Sequence, residues 1–308
     1  MPRVLIIMFL SLFISNLFIE LGLFKKLEFI GRPLVRLANL PGESAITFVT
    51  SFGSVLAANT MLAQLYREKI IDRRQTFLSA LLNGIPVYIK ETFTYQIPII
   101  IPILGLKIGG IYFLSFLLAG VSRLFFIIFL GRIKLEKPTA SQDLFNTDPL
   151  NIAPATQRVD RILISAFRQL IKPFSKICAI FVSITFIVFL LMNSGATNGL
   201  KDIIQLLTDL FKLPASAAIG VCTYILNPLV GLTSIGTMAR SGSLNNLQAI
   251  TACMLGSLLA LPLFAIRYSL PKYTAIFGFS LGSRILFVST LLSMLVKGII
   301  LSAILFVI

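Results

Sequence analysis

The sequence predicts an all-α integral membrane protein made of two copies of one unit, with the second copy inverted across the bilayer. Of the 308 residues, 56% are hydrophobic and only 13% are charged, and the mean hydropathy is +0.93. These values lie outside the range of ordinary soluble domains. The chain also aligns with itself without a gap at an offset of 173 positions, and its basic residues form short runs between apolar segments. Both patterns are typical of membrane proteins built from repeats.

The offset divides the chain into a first repeat at 1–135, a linker at 136–173 and a second repeat at 174–308. Chance agreement between apolar sequences would mainly match Leu, Ile and Phe, whereas many matches here are residues that shape or end helices. Such matched pairs are Gly22 with Gly195, Pro41 with Pro214, Thr50 with Thr223, Thr60 with Thr233, Arg67 with Arg240, Gln75 with Gln248, Pro98 with Pro271, and Gly105 with Gly278.

Each repeat begins with an apolar segment long enough to cross the membrane, at 3–23 and at 176–193. An amphipathic segment follows at 25–38 and at 200–212. Its matched leucines recur at steps of three and four residues, and charged residues occupy the other face. This pattern predicts a helix that lies on the membrane surface.

The next stretch, 40–67, and its counterpart, 213–240, are apolar but carry many Ser, Thr, Asn and Gln residues. Gly53 and Ser54 fall in the middle of the first stretch, and Asn227 and Pro228 in the middle of the second. Glycine and proline weaken a helix there, and a chain broken at membrane depth must line a protein-enclosed polar cavity. We therefore predict two re-entrant hairpins with tips near the bilayer midplane.

A third apolar segment follows at 75–96 and at 247–267, each with a tail rich in Pro and Gly that predicts a broken helix. Spanning helices at 110–131 and 284–307 close the repeats. The linker is polar and contains prolines, and it leads into VDRILISAFRQLIKPF, which has the spacing of another surface helix.

The charges predict the orientation. If the hairpins are re-entrant, each repeat crosses the membrane three times, and the second repeat is upside down. The loop REKIIDRR at 67–74 is strongly basic, and the matched loop RSGSLNN at 240–246 has a single Arg. Inverted repeats under the positive-inside rule should differ in this way. The prediction is an N-terminus outside the cell membrane and a cytoplasmic linker.

The first hairpin and its flanks, LPGESAITFVTSFGSVLAANTMLAQLYREKIIDRRQTFLSALLNGIP, resemble the nucleoside-recognition, or Gate, domain. That domain occurs in concentrative nucleoside transporters, in the membrane part of ferrous-iron permeases and in spore-maturation proteins. The order of elements is similar to the transport core of the nucleoside carriers over nearly all of the chain. The resemblance implies a transporter that assembles as a homo-oligomer. The carriers' Gln-Thr-Glu motif is absent, because residues 58–61 read Ala, Asn, Thr and Met.

Polar side chains of the hairpins and of the segment KETFTYQIP form the predicted binding site for a small polar solute. The hydroxyls and amides would hydrogen-bond the solute, and Glu91, next to Lys90, would neutralise a cation or a coupling ion. An equally open interpretation is that Lys90 snorkels and Glu91 only neutralises it, and any one hydroxyl alone more often packs helices. The residues are Ser51, Ser54, Asn59, Thr60, Glu91, Thr94, Gln96, Thr223, Asn227, Thr233 and Ser234.

Several functions remain open at this point. We predict a secondary transporter driven by a sodium or proton gradient or by simple facilitated flux; the alternatives are a metal-ion permease and a membrane scaffold that does not transport. We expect no enzyme activity, because the chain has no His and shows no Ser/His, paired Asp or HExxH pattern. We also expect no cofactor and no nucleic-acid partner, since the net charge of +15 is spread over membrane-flanking loops.

Overall fold

The computed structural model of the chain describes residues 31–136 and 210–307, together with the single residues 9, 175, 179 and 186. The described residues form helices and no strand, which confirms the all-α prediction. The predicted first spanning helices at 3–23 and 176–193, most of the linker and the beginnings of both surface helices lie outside the described residues.

The first half contains six α-helices and a π-helical segment among the described residues. In chain order they are α1 (Gly31–Leu37), α2 (Glu43–Gly53), α3 (Val55–Arg67), α4 (Arg73–Leu82), α5 (Ile85–Glu91), the π-helical segment Thr92–Ile100, and α6 (Ile101–Lys134). The interruption between α4 and α5, at Asn83 and Gly84, has no counterpart in the sequence prediction.

The second half follows the same order of elements. Its described helices are α7 (Ala215–Leu226), α8 (Pro228–Arg240), α9 (Asn246–Phe264), the π-helical segment Ala265–Ser269, α10 (Leu270–Phe277), and α11 (Phe279–Val307). Both π-helical segments lie near proline, whose ring and missing N–H disturb the α-helical hydrogen-bond ladder.

Local sequence explains where α4 and α9 begin. Asp72 caps α4 by accepting a hydrogen bond from the backbone N–H of Gln75 at 2.6 Å, and the Gln75 side chain accepts from the Asp72 backbone N–H at 2.8 Å. Asn245 and Gln248 form the same capping box at the start of α9, at 2.8 and 3.0 Å. Such boxes satisfy two N–H groups that would otherwise have no partner.

At two pairs of positions that lie 173 residues apart, the backbone leaves the helical conformation in the same way. Ser54 has φ −152° and ψ 111°, and Asn227 has φ −153° and ψ 114°. Gly105 has φ 79° and ψ 165°, and Gly278 has φ 77° and ψ 164°. A positive φ strains most other residue types, so these two glycines are required where the chain turns out of its helix. The breaks predicted in mid-hairpin are therefore present in both halves.

The arms of each hairpin are short. At 1.5 Å per residue, α2 and α3 would be roughly 16 and 20 Å long, well below the ~30 Å of a bilayer's hydrocarbon core. In the second half the arms lie antiparallel. A Cβ on Gly231 would lie 2.3 Å from the Tyr224 Cα, and one on Gly220 would lie 2.5 Å from the Ile235 side chain. A contact between Gly231 and Tyr224 near the tip and one between Gly220 and Ile235 further away require a hairpin.

Three helical stretches among the described residues are long and apolar enough to cross a membrane: Arg73–Lys134, Asn246–Phe277 and Phe279–Phe306. The first has 62 residues, about three times the length that one crossing requires. It is interrupted at Asn83 and Gly84 and turns at Gly105, so it does not run as one straight helix. The chain is therefore a membrane protein, as its composition indicates.

Two apolar cores hold the described residues together, and each mixes the two halves. One core surrounds the second hairpin and α9, and it includes Ile103, Ile108 and Tyr112 from α6. The other surrounds the first hairpin and α4, and it includes Phe277 and Leu281 from the second half. Each hairpin thus packs against the interrupted helix of the opposite half.

Candidate functional site

Each hairpin tip places the N-terminus of a half-helix at the break. The Ser54 hydroxyl accepts a hydrogen bond from the Ala57 backbone N–H at 3.2 Å. The Asn227 side chain accepts from the N–H groups of Leu229 and Val230 at 3.0 and 3.3 Å. Ser54 and Asn227 are exposed, and both act as N-caps that hold the start of the second arm.

Most of the predicted hydroxyls make a hydrogen bond to their own helix. A hydroxyl bound to a carbonyl three or four residues earlier is satisfied without any ligand. These bonds run from Ser51 to Phe48 at 2.6 Å, from Thr60 to Leu56 at 2.9 Å, from Thr94 to Lys90 at 2.9 Å, from Thr223 to Ile219 at 2.7 Å, and from Thr233 to Leu229 at 2.7 Å.

Three predicted residues differ from this pattern. The Oε1 atom of Gln96 and the hydroxyl of Ser234 are buried without a hydrogen-bond partner in the part of the chain that the structure describes. An unpaired buried polar atom costs free energy, which makes both of them candidates for contact with a ligand or water. Glu91 is exposed at the end of α5, immediately before the first π-helical segment.

Asn59 belongs to a buried polar network that joins several helices. The Asn83 amide donates to the Asn59 carbonyl oxygen at 3.1 Å, and the Thr47 hydroxyl donates to the Asn83 carbonyl oxygen at 3.3 Å. The phenol of Tyr273, from the second half, lies beside the Asn59 side chain and interacts with it. Thr47 and Asn83 have no exposed surface, and Asn59 is 2% exposed. We call these four residues the amide network.

A hydroxyl pair extends the polar interior of the first half. Ser44 on α2 and Ser79 on α4 lie 2.7 Å apart, oxygen to oxygen, and both are fully buried. With the amide network, this pair connects both hairpin arms to α4. Its groups are neutral, both donate and accept hydrogen bonds, and are paired with one another within the protein.

Our sequence reasoning found Asn59 but missed its partners. A usable signal was present, because the repeat is broken at all of these positions. Ser44, Thr47, Asn59, Ser79 and Asn83 correspond to Ala217, Gly220, Leu232, Ala252 and Gly256. Positions where the two repeats differ in residue type indicate a feature that only one half has. Tyr273 could not be found in this way, because its place beside Asn59 depends on how the two halves pack.

A pair of arginines connects the halves reciprocally. Arg67, at the end of the first hairpin, donates to the carbonyl oxygen of Ile276 at 3.4 Å. Arg240, at the end of the second hairpin, donates to the carbonyl oxygen of Ile103. Each acceptor lies two residues before a glycine of positive φ, where the helical hydrogen-bond pattern ends. The arginines thus satisfy carbonyls that the helix breaks leave open.

The core around the second hairpin has an aromatic cluster instead of an amide network, and Tyr112 comes to it from α6 of the first half. The phenol oxygens of Tyr112 and Tyr224 lie 2.5 Å apart, and both rings are buried. The Lys297 ammonium lies 5.5 Å from the centre of the Tyr112 ring, within the range of a cation–π contact. Among the described residues, no group of three or more His, Cys, Asp or Glu side chains could hold a metal ion.

Comparison with known proteins relates the first part of the chain to one family. Residues 1–107 match the family model described as Gate, nucleoside recognition. This match confirms the resemblance found in the sequence, and the Gate family is associated with membrane transport.

Three relatives in Methanocaldococcus jannaschii match over most of their length, and all three are called uncharacterized proteins. MJ1556 is 28% identical over 94% of this chain and 89% of its own. MJ0880 is 20% identical over 96% and 94%, and MJ0871 is 24% identical over 99% and 93%. No solved structure matches the chain.

Proposed function

We propose that the protein is a secondary transporter for a small polar solute, which binds between two re-entrant hairpins and is released to either side by alternating access. The single observation that carries this proposal is the pair of helix interruptions in each half. Ser54 and Gly105 break the first half, and Asn227 and Gly278 break the second. Broken helices at membrane depth are tolerated where they line a polar cavity or a buried site.

The lengths of the hairpin arms support a re-entrant path. An arm of roughly 16 to 20 Å reaches about the middle of the hydrocarbon core and returns to the side from which it entered. The N-terminus of the second arm would then lie near the midplane, where its positive end can face a solute.

The inverted topology can be tested with two matched single-cysteine variants. Ile70→Cys and Ser243→Cys occupy equivalent loop positions in a background where Cys178, Cys222 and Cys253 are replaced by Ala. We expect a membrane-impermeant maleimide to label Ser243→Cys in intact cells. Ile70→Cys should react only after permeabilisation. Labelling of both from the same side would contradict the inversion.

Transport can be tested with purified protein in liposomes. The assay would measure accumulation of radiolabelled nucleosides, nucleobases, amino acids and organic acids, with and without a sodium or proton gradient. We expect one class to accumulate above empty liposomes. Asn59→Ala should reduce that uptake at least tenfold, because it removes the amide that joins two helices and Tyr273. Gln64→Ala, an exposed residue on the same arm, is the matched control.

Three outcomes would contradict all or part of the proposal. If no solute accumulates above empty liposomes under any gradient, the scaffold function gains support. If a divalent metal is the one substrate that accumulates, the metal-ion permease becomes the better description. If Asn59→Ala and Asn227→Ala both transport like the parent chain, the hairpin site is wrong even though the chain transports.

A further inference from the structure

We propose that Arg123 is the anchor of a binding site for an oxyanion, a carboxylate or a phosphate, beside the amide network. The proposal deepens the proposed function and rests on it for the step of transport, because it assigns a charge to the solute. Its evidence does not depend on the helix breaks. A guanidinium within the membrane segment has an N–H without a partner, its neighbours are neutral, and a polar network lies next to it.

Arg123 lies well inside the membrane segment. It is about 16 Å from the end of α6 at Lys134, at 1.5 Å per residue. A charged side chain at such depth is costly and faces a partner, a cavity or water. Arginine does not escape this cost by losing its proton, because the guanidinium stays charged under almost all conditions in proteins.

The contacts of Arg123 use only part of its hydrogen-bonding capacity. Its Nη2 atom donates to the hydroxyl of Ser289 and to the Ser289 carbonyl, the latter at 3.3 Å. The guanidinium carbon lies 5.3 Å from the centre of the Tyr88 ring. Nε is buried and has no hydrogen-bond partner among the described residues. None of these contacts brings a negative charge to the guanidinium.

The amide network lies next to this guanidinium. Asn83 is followed by Gly84, and a Cβ at Gly84 would lie 2.6 Å from the Arg123 Nη1. The glycine therefore leaves the space that the guanidinium occupies. Tyr273, which lies beside Asn59, also interacts electrostatically with Arg123. The surroundings of the guanidinium therefore combine one fixed positive charge with neutral amide and phenol groups.

At the position that matches Arg123 the second half has no cation; its buried ammonium, Lys297, lies one residue further on. The position that matches Arg123 in the second half is Val296, and the position that matches Gly84 is Ser257. The departure from the repeat therefore includes both the cation and the glycine that makes room for it. It coincides with the departures that create the amide network, which favours one site over two unrelated features.

The geometry of a guanidinium selects the ligand class. Its planar fork matches the two oxygens of a carboxylate or phosphate, and such charge-assisted pairs are stronger than neutral hydrogen bonds. Nε has no partner and lies on the same edge of the guanidinium as Nη2, so an oxyanion would bind at this edge and share Nη2 with Ser289. We therefore expect a ligand with an oxyanion group for Arg123 and a neutral polar part for the amide network.

The first experiment compares matched ligands on the unmodified protein. Purified protein in detergent, in buffer without phosphate or organic anions, is titrated with nicotinate and nicotinamide, orotate and uracil, and uridine monophosphate and uridine. We expect a rise of the melting temperature with the anionic member of at least one pair and at least a tenfold weaker effect of its neutral partner. Equal effects of both members, or stabilisation by neutral members alone, would overturn the proposal.

The second experiment changes the arginine. We expect Arg123→Gln to weaken anion binding at least tenfold, and Arg123→Lys to weaken it less because the charge remains while the fork is lost. Lys134→Gln, exposed on the same helix, is the control. Each variant must elute as the parent chain does in size exclusion. Unchanged anion affinity in Arg123→Gln would overturn the proposal, and the ligand comparison on the parent chain does not depend on how the variants fold.

Two further arms identify the source of the oxyanion and separate the two proposals. Stabilisation by phosphatidylglycerol over phosphatidylcholine nanodiscs that is lost in Arg123→Gln would make a lipid phosphate the ligand of the same site. Anion binding without uptake in liposomes would keep the site and contradict transport. Uptake of a neutral solute that Arg123→Gln leaves unchanged would keep transport and overturn the site.

Discussion

The two hairpins have the same backbone conformation at their breaks but differ in the side chains that pack between their helices. In the first, buried amides and hydroxyls bond across helices, from Thr47 through Asn83 to Asn59. In the second, the matching positions are small or apolar, the Tyr224 backbone packs against Gly231, and the Tyr224 ring packs against Gly256. The buried Ser257 hydroxyl there bonds to its own helix, to the carbonyl of Met254 at 2.9 Å, and that of Ser234 has no partner among the described residues.

This difference indicates that a repeated fold can divide its tasks between its halves. A half packed by an aromatic ring and glycines is stabilised by van der Waals contact and has few hydrogen-bond donors for a polar ligand. A half packed by amides must keep every group paired, and it can exchange internal partners for a ligand of similar chemistry. We therefore expect mutations to affect mainly packing in the second half and mainly hydrogen bonding in the first.

The largest effect should come from adding one methyl group where the second hairpin is tightest. In Gly231→Ala the new Cβ would lie 2.3 Å from the Tyr224 Cα, and the backbone of the two arms would have to separate. We expect a loss of about 3 kcal/mol in the free energy of unfolding, near the upper end for overpacked cores. Thermal unfolding in detergent measures it.

The matched control for this variant is Ala58→Gly in the first hairpin, because Ala58 occupies the equivalent position. It should cost about 1 kcal/mol, the difference in helix propensity. Equal losses for the two variants would show that the arms of the second hairpin are not packed more closely than those of the first.

A smaller effect should follow from removing the central amide of the first half. Asn83→Ala removes the partner of the Asn59 side chain, while Thr47 keeps its bond to the Ser44 carbonyl at 3.0 Å, and we expect a cost of about 2 kcal/mol. In the second half, Ser257→Ala removes only a bond within one helix and should change stability by less than about 0.5 kcal/mol. Chemical denaturation of both variants compares them, and a larger loss for Ser257→Ala would reverse the comparison.

The sequence was sufficient for the features that repeat. The offset of 173 positions led to both hairpin breaks, and in the structure the backbone is extended, not helical, at Ser54 and Asn227. It was not sufficient for contacts between the halves. Nothing in the local pattern around Asn59 shows that Tyr273 lies beside it, because that contact depends on how distant segments pack.

The candidate site was predicted less well than the fold for a physical reason. Hydroxyls in apolar helices bind a ligand, another helix or their own backbone, and sequence does not distinguish these cases. Thr60 and Thr223 bond to their own helices. Asn83 has no such local bond, and its side chain is satisfied by two other helices. Amides that interrupt a repeat were thus a better guide than hydroxyls that follow it.

The hydrogen bond between Tyr112 and Tyr224, beside the second hairpin, allows a test with a smaller expected effect. Tyr224→Phe keeps the ring that fills the hairpin but removes a hydroxyl 2.5 Å from that of Tyr112. We expect a loss of about 1 kcal/mol in stability, the usual net value of one hydrogen bond. Tyr88→Phe is the control for stability, because its hydroxyl is 3.4 Å from Ser293 and the bond is weak. A melting temperature of Tyr224→Phe equal to that of the parent would contradict the expectation.

The smallest expected difference concerns the two hairpin tips. Asn227 accepts two backbone hydrogen bonds at the tip, and Ser54 accepts one. Replacing either by Ala removes a helix cap, which costs about 0.5 to 2 kcal/mol. We expect Asn227→Ala to be less stable than Ser54→Ala by about 0.5 kcal/mol. Melting curves of both variants under one condition decide it, and the opposite order would show that the number of capping bonds does not set the cost.

The contacts of Arg67 and Arg240 also have a consequence for synthesis of the chain. Arg67 must wait for the carbonyl of Ile276, which lies 209 residues later in the sequence. At a translation rate of about 5 to 20 residues per second, the delay is on the order of 10 to 40 seconds. During that interval the first hairpin is already made, but the residues that complete its core have not left the ribosome. A nascent chain stopped before residue 276 should therefore be a preferred substrate for membrane quality control.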